Sequence, residues 1–162
     1  MSNTAMLEVK NLTKHFKAGK GQEVHAVDNV SFTLEKGKTL GLVGESGCGK
    51  SSCARTIIRI YDPTEGQILL DGQDITHMKQ RELKPLRKKM QMIFQDPYAS
   101  LNPRMTVGSI IAEGMEIHKM YDKEKRTKRV YELLETVGLN REHANRFPHE
   151  FSGGQRQRVG IA

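Results

Sequence analysis

The chain has 162 residues, with 26 Lys and Arg against 19 Asp and Glu and a formal charge of +7, a length that suits one ordinary domain or a compact pair of lobes. Its hydrophobic share of 36%, with 15 glycines besides, argues against disorder. The longest run free of Asp, Glu, Lys and Arg, Met105 to Ala112, is eight residues, so no segment reaches the ~20 apolar residues of a membrane-spanning helix.

The first ten residues, MSNTAMLEVK, lack the basic patch, apolar stretch and small-residue cleavage site of a secretory signal, and a cytosolic location is expected. From Leu7 to Leu70 short apolar runs are broken by glycines and charged turns. Leu7-Glu8-Val9 alternates, Val30-Ser31-Phe32-Thr33-Leu34 alternates cleanly, and Gln67-Ile68-Leu69-Leu70 precedes the turn Asp71-Gly72. Alternation predicts half-buried antiparallel strands. Thr39-Leu40-Gly41-Leu42-Val43 has no polar face to give to water, which predicts a strand buried on both faces. A helix is expected from about Ser51 to Ile60, and a further strand from Met90 to Phe94, ended by Gln95-Asp96-Pro97.

Beyond Pro97 the period changes. Val107, Ile110, Ile111 and Met115 fall at helical spacing behind a candidate N-cap, Thr106, and Val130, Leu133, Leu134 and Val137 form a second stripe stopped by Gly138. Residues 104–146 are expected to form a mostly helical lobe. The lobe boundary falls in the short Gln95 to Pro103 connection, giving units of 1–96 and 97–162. The densest basic stretches, Arg81 to Lys89 and Lys119 to Arg129, carry no interleaved aromatics for base stacking and read as solvated or docking faces, not as a nucleic-acid groove.

The chemistry concentrates between residues 44 and 52. Gly44-Glu45-Ser46-Gly47-Cys48-Gly49-Lys50-Ser51 matches G-x-x-x-x-G-K-[ST] at every fixed position, directly after the apolar run and before a helix. Glycines let successive backbone N–H groups turn inward onto phosphate oxygens, and the helix adds its positive N-terminal end. Lys50 reaches the β- and γ-phosphates, the Ser51 hydroxyl suits Mg²⁺, which takes hard oxygen donors, and Ser52 adds a hydroxyl near the α-phosphate. Cys48, beside the lysine, is expected to be alkylated at a rate that nucleotide slows. Two cysteines, Cys48 and Cys53, with no second Cys/His pair at zinc spacing, exclude a disulfide framework and a thiolate metal centre.

A second signal lies near the end of the sequence. Ser152-Gly153-Gly154-Gln155 sets an N-cap serine and two small residues before a helix, another anion-receptive start. Together the two segments resemble the phosphate loop and signature motif of ATP-binding cassette (ABC) ATPases. That resemblance implies an α/β P-loop NTPase fold, in which an antiparallel β subdomain and a parallel core sheet accompany a mostly helical subdomain. It implies that Phe16 stacks on adenine and that Gln95 is the catalytic glutamine, contacting Mg²⁺ or the attacking water. ATP and Mg²⁺ bound by Phe16, the 44–52 loop and Gln95 would be covered by Ser152, Gly153, Gly154 and Gln155 of a second ATPase subunit, head to tail.

Within the family, residues 95–107 look like the corresponding segment of dipeptide and oligopeptide importer ATPases. The resemblance therefore implies an ATP-binding subunit at the inner face of the cell membrane. Its partners would be permease subunits and, indirectly, an extracellular peptide-binding protein, with no nucleic acid. Family members continue past the signature helix with a strand ending in Asp-Glu, then a short loop and a histidine. The 162 residues end before these parts of the core, which leads to the expectation that the chain binds ATP but turns it over very slowly. A non-catalytic nucleotide-binding module and a cassette protein acting on nucleic acid are the competing readings.

Overall fold

The structure is a computed structural model and describes residues 5–19, 21–96 and 100–162. The chain divides into two compact units, Met1–Gln91 and Met92–Ala162.

The first unit is built on a β hairpin of two 13-residue strands, β1 (Ala5–Lys17) and β2 (Glu23–Glu35). They pair antiparallel with Leu7 opposite Leu34, Val9 opposite Phe32 and Phe16 opposite Val24. β3 (Glu65–Leu70) pairs with the other edge of β1, and the two-residue β4 (Gln73–Asp74) pairs with β3, giving the antiparallel order β2-β1-β3-β4 among the described residues. The alternation of Val30 to Leu34 is realised as half-buried and exposed positions in turn. Register shifts between Val9 and His15 bend the hairpin, and Asn11 and Asn29 take positive φ there, a conformation asparagine tolerates better than most side chains. Gly66 packs so close to this bend that a Cβ would stand 2.4 Å from the Asn11 carbonyl oxygen.

Val9, Leu12, Val27, Ile68, Leu70, Ile75 and Leu83 form the core of this unit with Cys53. Cys53 comes from α1 (Lys50–Ile57), and Leu83 from the one-turn α2 (Gln80–Leu83). Just past α1, the buried side chain of Arg59 donates from Nε to the Ile75 carbonyl and from Nη2 to that of Met78, and pairs with Asp62. A buried guanidinium needs such partners, because an uncompensated charge away from water is costly.

Two expectations are corrected. Residues 39–43 form no strand, and Leu40, Leu42 and Val43 are 46%, 45% and 89% exposed. Residues 90–94 form none either, with Ile93 61% and Phe94 43% exposed. An apolar sequence does not make a strand by itself. The ladder bonds come from neighbouring strands, and no described segment pairs with either run. The parallel part of the expected core sheet is therefore not formed among the described residues.

The second unit is helical. α3 (Val107–Ile117) is capped by Thr106, whose hydroxyl accepts from the Ser109 N–H at 3.3 Å, and α4 (Lys123–Thr136) by Asp122, which accepts from the Lys125 N–H at 2.9 Å. Gly138, at φ +75, stops α4 and lets the Leu139 N–H return to the Leu134 carbonyl. Short 3₁₀ turns, Arg141–Asn145 and Pro148–Glu150, lead to α5 (Gly153–Ile161). Val107, Met115, Val130, Leu134, Leu139, Phe151 and Val159 are buried together, so the stripes read from the sequence face one core.

Candidate functional site

The loop of residues 44–49 is held at both ends by close approaches. Gly44 leaves only 2.6 Å between a notional Cβ and Cys48 Sγ, and at Gly49 a Cβ would stand 1.9 Å from the Ala26 carbonyl oxygen of β2. Gly47 and Gly49 have φ of +82° and +92°, conformations that a residue with a Cβ adopts only under strain. A methyl group at position 49 would have to displace backbone, so the glycines fix how the loop is threaded onto the hairpin.

Inside that turn the Lys50 ammonium donates to the Gly44 carbonyl at 2.7 Å and to the Glu45 carbonyl at 2.5 Å, with Cys48 Sγ 3.5 Å away. No carboxylate pairs with Lys50 among the described residues. α1 differs from α3, α4 and α5 in its start: its N-cap is Gly49 and no side chain caps it. The N–H groups of Gly47, Gly49 and Ser51 find no acceptor among the described residues. An ammonium held by carbonyls with no carboxylate beside it, together with unpaired N–H groups at a helix start, makes an anion receptor. The exposed Ser51 hydroxyl beside them is a hard oxygen donor of the kind Mg²⁺ takes, usually with waters and phosphate oxygens completing its shell. The residues present fit a magnesium nucleotide.

Phe16 is half-buried on β1, its ring set edge-on against Tyr61 at 5.1 Å, with Lys14 Nζ 4.9 Å from the ring centre. Gln95 is exposed, at a bend. Pro97, Tyr98 and Ala99 of the importer-like segment lie outside the described residues. Phe16 and the loop belong to the first unit, Gln95 and residues 152–155 to the second.

At the start of α5, Ser152 Oγ accepts from the Gln155 N–H at 3.3 Å while the Gln155 side-chain oxygen Oε1 accepts from the Ser152 N–H at 3.0 Å. This is a reciprocal capping box, and its Ser-x-x-Gln spacing is readable in the sequence. Gln155 thus holds the helix start in shape, and the exposed glycines Gly153 and Gly154 have open space where a Cβ would stand. Sequence reasoning missed Tyr61 beneath Phe16 and Ala26 against Gly49. Neither carries a local signal, because each contact exists only once the hairpin and α1 have packed.

The architecture is that of a nucleotide-binding cassette. A dimeric post-hydrolysis structure of the ATP-binding cassette MJ0796, bound to ADP and Pi, superimposes with a TM-score of 0.85 at 32% identity, over 96% of this chain and 67% of that one. The cbiO1 protein of Clostridium perfringens, part of the ABC transporter complex cbiONQ, gives 0.77 at 25% identity, over 98% of this chain and 60% of that one. A family model described as ABC transporter matches residues 27–162, and the chain belongs to that family. Among curated relatives, the oligopeptide transport ATP-binding protein OppF of Bacillus subtilis is 62% identical over 97% of this chain and 52% of its own length. AppF of the same organism, of the same description, is 56% identical over 97% and 50%, and OppF of Streptococcus mutans 52% identical over 97% and 51%. The chain spans about half the length of the curated relatives it matches. No helix among the described residues is long and apolar enough to cross a membrane.

Proposed function

We propose that this chain is the ATP-binding part of a peptide importer's energy-coupling subunit. The observation that carries the reading is the Lys50 ammonium, unpaired with any carboxylate among the described residues and set inside a glycine-threaded turn at an uncapped helix start. In this reading Lys50 exchanges the Gly44 and Glu45 carbonyls for the β- and γ-phosphates. The N–H groups of Gly47, Gly49 and Ser51 receive the remaining phosphate oxygens, and Ser51 with Gln95 holds Mg²⁺. Phe16 supplies the face on which adenine stacks. Ser152, Gly153, Gly154 and Gln155 cover the nucleotide of a second ATPase subunit, so that the γ-phosphate joins two chains and its loss releases them. Magnesium held there would supply positive charge to offset that of the phosphates. Gln95 orients the attacking water and passes the nucleotide state to membrane permease subunits at the inner face of the cell membrane. The peptide reaches those subunits from an extracellular binding protein. The names of the OppF and AppF relatives support the peptide class of cargo.

Calorimetry with Mg-ATP tests the nucleotide site. The parent chain is expected to bind, and Lys50→Ala to weaken binding by about 10- to 150-fold, the worth of ~1.5–3 kcal/mol for hydrogen bonds to a charged group. Folded parent protein that takes up no Mg-ATP would overturn the reading. Uptake of a labelled oligopeptide by cells carrying the same substitution tests the cargo, and unchanged uptake would remove the importer assignment.

A further inference from the structure

We propose that His15, Glu23 and His25 form a binding site for a divalent transition-metal ion of the zinc type, separate from the nucleotide loop. The three residues come together through the pairing of β1 with β2. His15 lies directly opposite His25, and Glu23 opposite Lys17. Residues 23 and 25 stand two apart on one strand and so share a face of the sheet. Their ligand atoms all lie within 4.8 Å of one another. His15 Nδ1 is 3.6 Å from Glu23 Oε2, and the two imidazole rings lie 3.7 Å apart, centre to centre.

Each donor is available. His15 Nδ1 reaches Glu23 only at a distance longer than a normal hydrogen bond, and His15 Nε2 is buried without a partner. His25 is exposed, and the Glu23 side chain is 48% exposed, so an ion arrives from solvent and the two outer ligands are free to turn. Zn–N and Zn–O bonds of about 2.0–2.2 Å put tetrahedral ligand atoms roughly 3.3–3.5 Å apart. The present spacing therefore closes by side-chain rotation of about an ångström, with no movement of the strands.

Two imidazoles and one carboxylate are the donor set of a three-ligand zinc site with an open fourth position. Imidazole nitrogen also selects against Mg²⁺ and Ca²⁺, which take oxygen. The ion would cross-link the turn end of the hairpin, next to the position that carries Phe16.

Zinc chloride titrated calorimetrically into the untagged chain, with no nucleotide and no chelator, tests the site. One zinc per chain is expected, with affinity about 100-fold lower in His25→Ala, and lower also in Glu23→Gln, while magnesium chloride gives no saturable heat. The magnitude is at or above the upper end of the 10–100-fold that outer-shell partners are worth. Cobalt(II) in place of zinc should give the intense visible absorption of a four-coordinate site in the parent and lose it in His25→Ala. Both substituted side chains are exposed, and unchanged far-ultraviolet dichroism confirms that the variants fold. Equal zinc affinity in the parent and His25→Ala overturns the proposal, as does a folded parent chain that binds no zinc.

Discussion

Cys48 and Cys53 are five residues apart and in opposite environments. Cys53 is 4% exposed in the core of the first unit, where burial raises its thiol pKa by penalising the thiolate. Cys48 is exposed in the phosphate loop, 3.5 Å from Lys50 Nζ, and fills the space that Gly44 leaves for it. The thiolate is the form that reacts with alkylating agents, so a mild iodoacetamide treatment is expected to label Cys48 and spare Cys53. A triphosphate seated on the loop would cover Cys48, and Mg-ATP is expected to slow that labelling several-fold. Peptide mapping by mass spectrometry gives the rates. Equal rates with and without nucleotide would mean that the thiol does not border the bound phosphates.

The elements show where local sequence suffices and where it does not. Thr106, Gly138 and Ser152 were legible as helix boundaries because a cap is set by residues within one turn of it. The Val30 to Leu34 alternation was legible because one face of the sheet is wet. The bend at Asn11 was not legible, since it depends on Gly66 admitting the Asn11 carbonyl from another strand. Nor was the lock on the β3–β4 turn. There Asp74 accepts from the Thr76 hydroxyl, from Gln67 Nε2 at 2.7 Å and from the Thr76 N–H at 2.8 Å, and these bonds hold its carboxyl below the usual carboxylate range. A depressed folded-state pKa stabilises the fold above the unfolded value near 3.9, and the contribution is lost as pH falls through the folded value. Asp74→Asn is therefore expected to lower the unfolding free energy from urea titration at pH 7 by less than about 1 kcal/mol for so exposed a group. The gap between variant and parent should shrink as pH drops below about 4. A gap that stays constant down to pH 2 would show that ionisation of Asp74 is not its source.

For the whole molecule, the sequence conveyed which segments are apolar but not whether a partner strand is at hand, which explains residues 39–43. Leu40, Leu42 and Val43 belong to a run whose composition encodes burial on both faces, yet they stand 46%, 45% and 89% exposed. Contiguous exposed apolar side chains mark surfaces that associate. Burying one valine is worth about 1.5–3 kcal/mol, and each 1.4 kcal/mol is tenfold in a dissociation constant. The 162-residue chain is accordingly expected to self-associate, its light-scattering mass rising with concentration above the 18.3 kDa of one chain. Val43→Ser removes the most exposed of the three side chains from the contact. It should move the association midpoint to roughly tenfold higher concentration or more, without altering the hairpin, because no strand hydrogen bond involves residue 43. A parent chain that stays at one-chain mass throughout a titration into the millimolar range would show that this exposed run is not adhesive. An unchanged midpoint in Val43→Ser would place the association on another surface.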